Sequence, residues 1–236
     1  MNKLIVCNHK MFLTYDEALN LKNKLDSFNK IKDMVICPNI LYLNLFKDYT
    51  LGVQDCHSEI TGAYTSMISP YHLSLMGIKY SLVGHSDTRD IYDDNAINKK
   101  LKAVLNNSMT PILCVGETKY DRQLNKTITI LKKQITIALS NVELELGQEL
   151  IIAYEPRWII NSNLQMSKND IIDVFKYIRK ILEEMNINNY KLLYGGNINK
   201  DNIKLIDNSI IDGYLLGHSS VDINELTEIL KFTHNM

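Results

Sequence analysis

The sequence has no block dense in lysine or arginine. Its 26 Lys plus Arg stand against 27 Asp plus Glu, for a formal charge of −1. That removes the electrostatic footprint on which nucleic-acid and anionic-membrane binding rest. No apolar run approaches the ~18 residues that a membrane-spanning helix needs. Met1 to Cys7 is too short an apolar run for a leader and ends at a polar triplet, so no secretory signal is expected. Cysteine is scarce: Cys7, Cys37, Cys56 and Cys114 are scattered, with no C-x-x-C pair. Three of them lie in or beside apolar runs. They read as reduced core thiols of a cytoplasmic protein, and neither as bridges nor as metal ligands. No Gly/Ser/Pro-rich linker divides the 236 residues, and no exact repeat is visible.

What is there is alternation. Eight short apolar runs read as strands: Lys3–Cys7, Met34–Cys37, Thr50–Gln54, Tyr80–Val83, Pro111–Val115, Leu150–Tyr154, Lys191–Tyr194 and Gly213–Leu216. Amphipathic segments with recognisable starts lie between them. Thr14 with Glu17 is a capping box that opens a helix through Leu25. Ser69-Pro70 is an N-cap followed by proline at the first helical position, and Gly77 stops that helix. Ser167 opens the segment Ile171–Met185, with Ile171, Val174, Phe175, Ile178 and Leu182 at helical spacing. The last helix starts at Asp222 or Asn224. The length fits one α/β barrel or two small domains, and eight βα units without a linker predict a single closed (β/α)8 barrel over residues 1–236. A doubly wound open sheet is the alternative. It would usually carry a glycine-rich turn after its first strand, where this chain has Asn8-His9-Lys10-Met11.

In a barrel the loops after the strands carry function. Pro156 forces the chain out of the sixth strand, which sets Glu155 at its C-terminal edge beside Trp158, the only tryptophan. A carboxylate there is poorly explained by stability and well explained as a general base under a loop that closes. Lys10 and Asn8 follow strand one, and a lysine at the mouth attracts phosphate or a carbonyl oxygen. After strand four, His85 is crowded by Ser86, Asp87 and Arg89. A helix N-terminus aimed at the ring would keep it neutral. Glu117, after strand five, reads as a structural partner of Arg89. Glycines after the last two strands, in Tyr194–Asn197 and Leu216–Ser220, let backbone N–H groups approach an anion. A base, a neutral electrophile, a cation and an anion cradle suit proton transfer beside a carbonyl in a small phosphorylated substrate. That chemistry needs no metal or redox group.

These motifs bring out a likeness. The stretches N-H-K-M (Asn8–Met11), T-G-A-Y-T (Thr61–Thr65), I-S-P (Ile68–Pro70), G-H-S-D-T-R (Gly84–Arg89), I-N-K-K (Ile97–Lys100), P-I-L-C-V-G-E-T (Pro111–Thr118), I-A-Y-E-P-R-W (Ile152–Trp158), L-Y-G-G-N (Leu193–Asn197) and D-G-Y-L-L-G (Asp212–Gly217) stand in one order along nearly the whole chain. In them the chain resembles the triosephosphate isomerase family. The resemblance implies an aldose–ketose isomerase of glycolysis and gluconeogenesis that interconverts dihydroxyacetone phosphate and glyceraldehyde 3-phosphate, without cofactor. It implies that Glu155 shuttles the proton, neutral His85 polarises the carbonyl, and Lys10, with Asn8 beside it, stabilises negative charge. It implies a lid from Pro156 to about Gln165, phosphate contacts from Asn161, Asn197, Gly217 and His218, and a homodimer whose Thr65 arm reaches the neighbouring site.

Six positions depart from the family's pattern. Asp87 stands where the family has Glu, which sets a carboxylate one methylene farther from Lys10. Asn161 and Asn163 replace the glycines of the lid tip, Asn197 a serine, His218 a second glycine, and His9 a tryptophan. Two other readings stay open on the sequence. One is an isomerase of the same mechanism for another small sugar phosphate; the other is a non-catalytic barrel that binds a phosphorylated metabolite.

Overall fold

The computed structural model describes residues 2–28, 31–160, 162, 164–206 and 209–234. Eight parallel strands, β1 Leu4–Asn8, β2 Met34–Cys37, β3 Thr50–Val53, β4 Tyr80–Val83, β5 Thr110–Val115, β6 Leu150–Tyr154, β7 Tyr190–Tyr194 and β8 Gly213–Leu216, close into one barrel in sequence order. Closure is the β1–β8 ladder, with Leu4 against Gly213 and Cys7 against Leu216. All eight predicted strands are present, their ends shifted by a residue at most.

Alternation along the strands sorts side chains into two layers. Leu4 and Val6, Ile112 and Cys114, Ile151 and Ala153, with Leu82, Leu193 and Leu215, fill the barrel interior. Ile5 and Cys7, Leu113 and Val115, Leu150 and Ile152 face outward against the helices. The same parity carries the chain into the mouth, where Asn8 follows Val6, Glu155 follows Ala153 and Gly217 follows Leu215.

The helices are α1 Tyr15–Leu25, α2 Pro70–Leu75, α3 Asp94–Asn106, α4 Lys119–Gln123, α5 Thr127–Ala138, α6 Lys168–Glu184 and α7 Ile223–His234. Their starts follow the predicted chemistry. Thr14 and Glu17 form the reciprocal capping box, Ser69 accepts from the His72 N–H ahead of Pro70, and Ser167 accepts from Asp170 N–H. Asp222 rather than Asn224 caps α7, accepting from the N–H groups of Asn224 and Glu225. Helix α6 buries Ile171, Val174, Phe175, Ile178, Ile181 and Leu182 on one face, each side chain contributing about 1.5–3 kcal/mol relative to exposure. The β2–β3 connection departs from the expected βα unit: the 3₁₀ segment Ile40–Phe46 replaces an α-helix. Only twelve residues separate Cys37 from Thr50, which leaves room for a tight turn and little more. Another 3₁₀ turn, Ile203–Leu205, lies between β7 and β8. Among the described residues, no helix is long and apolar enough to cross a membrane.

Candidate active site

One cavity opens at the C-terminal mouth of the barrel. Asn8, Lys10, His85, Glu155, Asn197, Gly217 and His218 line it, with Phe12, Ile160, Leu215 and Ser219 among its other walls. Seven predicted site residues from the ends of five different strands therefore share one space. Asp87 sits behind Lys10 and touches it. Thr65 lies elsewhere, exposed in the loop after β3. Asn161, and with it Asn163 of the lid tip, lies outside the described residues.

Glu155 is buried, and its Oε1 lies 3.1 Å from Nε2 of the equally buried His85. Gly195 makes room for it: a Cβ there would come within 2.9 Å of the Glu155 Cγ. Burial pushes the Glu155 carboxyl up, but His85, a hydrogen bond with the Cys114 thiol, and Lys10 together hold it below the ordinary glutamate value. It is therefore a carboxylate, able to take a proton.

His85 reaches the mouth because Gly84 turns the chain at a φ of +70°. Burial works against an imidazolium, but the Glu155 carboxylate outweighs it, so the ring titrates above an ordinary histidine. The Asp87 backbone N–H donates to Nδ1 over 3.1 Å. That bond needs a lone pair on Nδ1, so it fixes the proton on Nε2, facing Glu155. The expected helix N-terminus is not what faces Nδ1: the Asp87 amide takes its place, and α3 starts only at Asp94.

Lys10 holds a left-handed backbone, φ 47°, a conformation that costs a non-glycine residue roughly 1–2 kcal/mol. Its N–H donates to Asn8 Oδ1 at 3.1 Å, and its carbonyl accepts from Gln54 Nε2 at 2.9 Å. Its Nζ lies 3.0 Å from Asp87 Oδ2. The shorter aspartate therefore reaches the lysine, although one methylene less was expected to set it farther away. The turn after His85, held by Thr88 N–H and Oγ1 on the His85 carbonyl, brings it close.

The pairing of Glu117 with Arg89 is a correction. Arg89 is taken by Asp94 at 2.7 Å and by the Cys114 carbonyl at 2.8 Å. Buried Glu117 instead accepts from Trp158 Nε1 at 2.9 Å and from the hydroxyls of Tyr154 and Thr127. That fastens the segment after Pro156 to the loop after β5. Farther along, Asn197 Nδ2 donates to the Ser162 carbonyl at 2.9 Å, so this side chain ties the β7 loop to the segment after β6. His218 packs edge-on against Phe12, ring centroids 5.6 Å apart. Sequence reading missed Gln54, Cys114, Ser162 and Phe12. Strand parity was the available signal for Gln54, because Gly52 and Gln54 fall on the inward side of β3.

A proton acceptor, an N–H donor 3.1 Å away and an ammonium on one rim form the equipment for moving a proton next to a carbonyl. The model of the family described as triosephosphate isomerase matches residues 3–233. The chain belongs to the triosephosphate isomerase family. Among its relatives, the triosephosphate isomerase of Aquifex aeolicus is 34% identical over 245 residues, covering 98% of this chain and 99% of its own. That of Endomicrobium trichonymphae is 34% identical, with 98% of each chain covered. That of Clostridium botulinum strain Eklund 17B is 32% identical, with 98% of this chain and all of its own covered. A base beside a neutral histidine under a closing loop is the general description of this family's site; the contacts above are those of this chain.

Proposed function

We infer that the chain carries out the isomerisation for which its family is named, interconverting dihydroxyacetone phosphate and D-glyceraldehyde 3-phosphate through an enediolate. The observation that carries this reading is the Glu155–His85 pair, 3.1 Å apart at the barrel mouth with Lys10 on the same cavity. Substrate enters between the two side chains. Glu155 removes a proton from the carbon beside the carbonyl and returns it to the neighbouring carbon. His85 donates its Nε2 hydrogen bond to the oxygen on which charge develops. Separation from Glu155 removes the pull that raises the ring's pKa. Burial, Lys10 and the Asp87 amide then favour neutral imidazole against the smaller pull of the Asp87 carboxylate. Lys10, positioned by Asn8 and Asp87, offsets the negative charge of enediolate and phosphate. The backbone at Gly217 and His218, with Asn197 and Asn161, receives the phosphate, and the lid excludes water.

The assembly we propose is a homodimer in the cytoplasm, each copy one barrel domain. Its support is the exposure of large apolar side chains on the loops after β1, β2 and β3: Met11 is 87% exposed and Leu41 78%, and Tyr64 and Met67, on either side of Thr65 in the chain, are exposed too. The activity is tested by a coupled assay in both directions. Turnover with both trioses is expected; near-background rates sink the reading. Turnover of a four-carbon sugar phosphate alone would move the substrate to another sugar.

A further inference from the structure

Gln54 follows β3 directly, on the inward-facing parity of Gly52, and stands behind Lys10 rather than in the cavity lining. Its Nε2 donates to two carbonyl oxygens, that of Lys10 at 2.9 Å and that of Cys37 at 3.2 Å. Both hydrogens of one carboxamide are thereby spent on two strand ends. The Cys37 carbonyl also accepts from the His9 N–H at 3.1 Å. Gln54 thus ties the ends of β1, β2 and β3 into one network. The residue it grips hardest is the one with the left-handed backbone, φ 47°. The Asn8 side chain holds the N–H of Lys10, and Gln54 holds its carbonyl.

We propose that Gln54 is a positioning residue: by fixing the Lys10 carbonyl it holds the backbone turn that aims the ammonium into the site and onto Asp87. A strained conformation persists only where its surroundings over-determine it, and here two carboxamides do so by holding the two peptide groups on either side of the Lys10 Cα. Without the Gln54 bond, the Lys10 backbone relaxes to negative φ and its Nζ swings off its place. A displacement of ~1 Å in a charged group costs on the order of 10²-fold in rate. The activity consequence rests on the isomerase reading; the placement of Lys10 does not.

Gln54→Leu keeps the approximate volume and removes both donors. The experiment measures kcat and KM per folded molecule, normalised by circular dichroism, and solves the crystal structure of the variant. The expected result is a loss of about 10- to 100-fold in kcat/KM, with Lys10 at negative φ and its Nζ no longer within 4 Å of Asp87. Lys10 unmoved in the variant crystal overturns the proposal, as does kcat/KM within twofold of the parent. A purely structural glutamine would lower the melting temperature and leave kcat/KM per folded molecule alone. Should Gln54→Leu not fold, Gln54→Glu keeps the shape, turns the donor into an acceptor, and is read against the same outcomes. If the parent itself is inactive, the isomerase reading has failed, and the crystal still decides whether Gln54 places Lys10.

Discussion

The Lys10 ammonium sits 3.0 Å from the Asp87 carboxylate, while the Asp87 backbone N–H sits 3.1 Å from Nδ1 of His85. One residue thus serves two partners through two different groups. Only the first depends on the side chain. Asp87→Ala should leave the His85 tautomer intact and free Lys10. Asp87 is about half exposed, so the ion pair contributes ~1 kcal/mol or less to stability and the melting temperature should fall only a few degrees. Activity should respond more, with kcat/KM falling on the order of 10-fold because the cation loses its fixed position. Steady-state kinetics beside a thermal melt separates the two. A large drop in melting temperature with unchanged kcat/KM would reverse the argument.

Glu155→Asp retracts the carboxylate by one methylene from a position now 3.1 Å from His85. The base contributes about 10²- to 10⁴-fold to rate, and the substitution leaves the groups proposed to hold the phosphate untouched. The expected outcome is a large loss in kcat with KM within a few-fold of the parent. Equal kcat would remove Glu155 from the base role.

His9 gives a stability prediction with a defined sign. The ring is buried, packs edge-on against Phe46, and neither nitrogen has a hydrogen-bond partner among the described residues. Burial pushes its pKa down to about 4, whereas an unfolded histidine titrates near ~6.5. Between those values the unfolded chain binds the extra proton. Stability is therefore full above pH ~6.5 and falls as pH drops toward ~4, by up to about 3 kcal/mol. His9→Phe cannot bind that proton. In urea unfolding at pH 7.5 and at pH 4.5, the parent should lose more stability than the variant. Equal losses would show that His9 does not carry the acid sensitivity.

What the sequence made legible, and what it did not, divides by the range of the interaction. Glu155, Asn8 and Gly217 could be placed at the mouth because a strand alternates with period two, and the parity of Ala153, Val6 and Leu215 runs on into the next residues. Helix starts at Thr14, Ser69 and Ser167 were legible because a cap is closed by a residue three positions away. The reach of Asp87 to Lys10 was not, since it depends on how tightly the chain turns after His85. Nor was Glu117's choice of Trp158, Tyr154 and Thr127 over Arg89, because Asp94 competes for that arginine from the first turn of α3. Gln54 lies 44 positions from Lys10, and only barrel closure brings them together.

The proposed assembly rests on the exposed apolar loops. Sedimentation at micromolar concentration should give a dimer, and Tyr64→Asp with Met67→Asp should shift it to monomer. A parent that is monomeric and fully active would contradict the reading of Thr65 as an arm into the neighbouring site.

Asn197 is the position where the proposed lid and the proposed phosphate cradle meet. Its φ is 50°, so an alanine there would lose the side chain and strain the backbone together, and the two effects could not be told apart. Asn197→Gly keeps the left-handed turn without strain and removes only the amide that donates to the Ser162 carbonyl at 2.9 Å. A neutral hydrogen bond contributes about 0.5–1.5 kcal/mol, which corresponds to roughly 2- to 10-fold in the balance between engaged and released lid. If that bond holds the lid over bound substrate, KM should rise within this range while the melting temperature stays near the parent's. If product release limits turnover, kcat should hold or rise slightly, because a looser lid opens sooner. Should KM stay unchanged while kcat falls by orders of magnitude, Asn197 would act on the reaction itself, and the Ser162 contact would be incidental to closure.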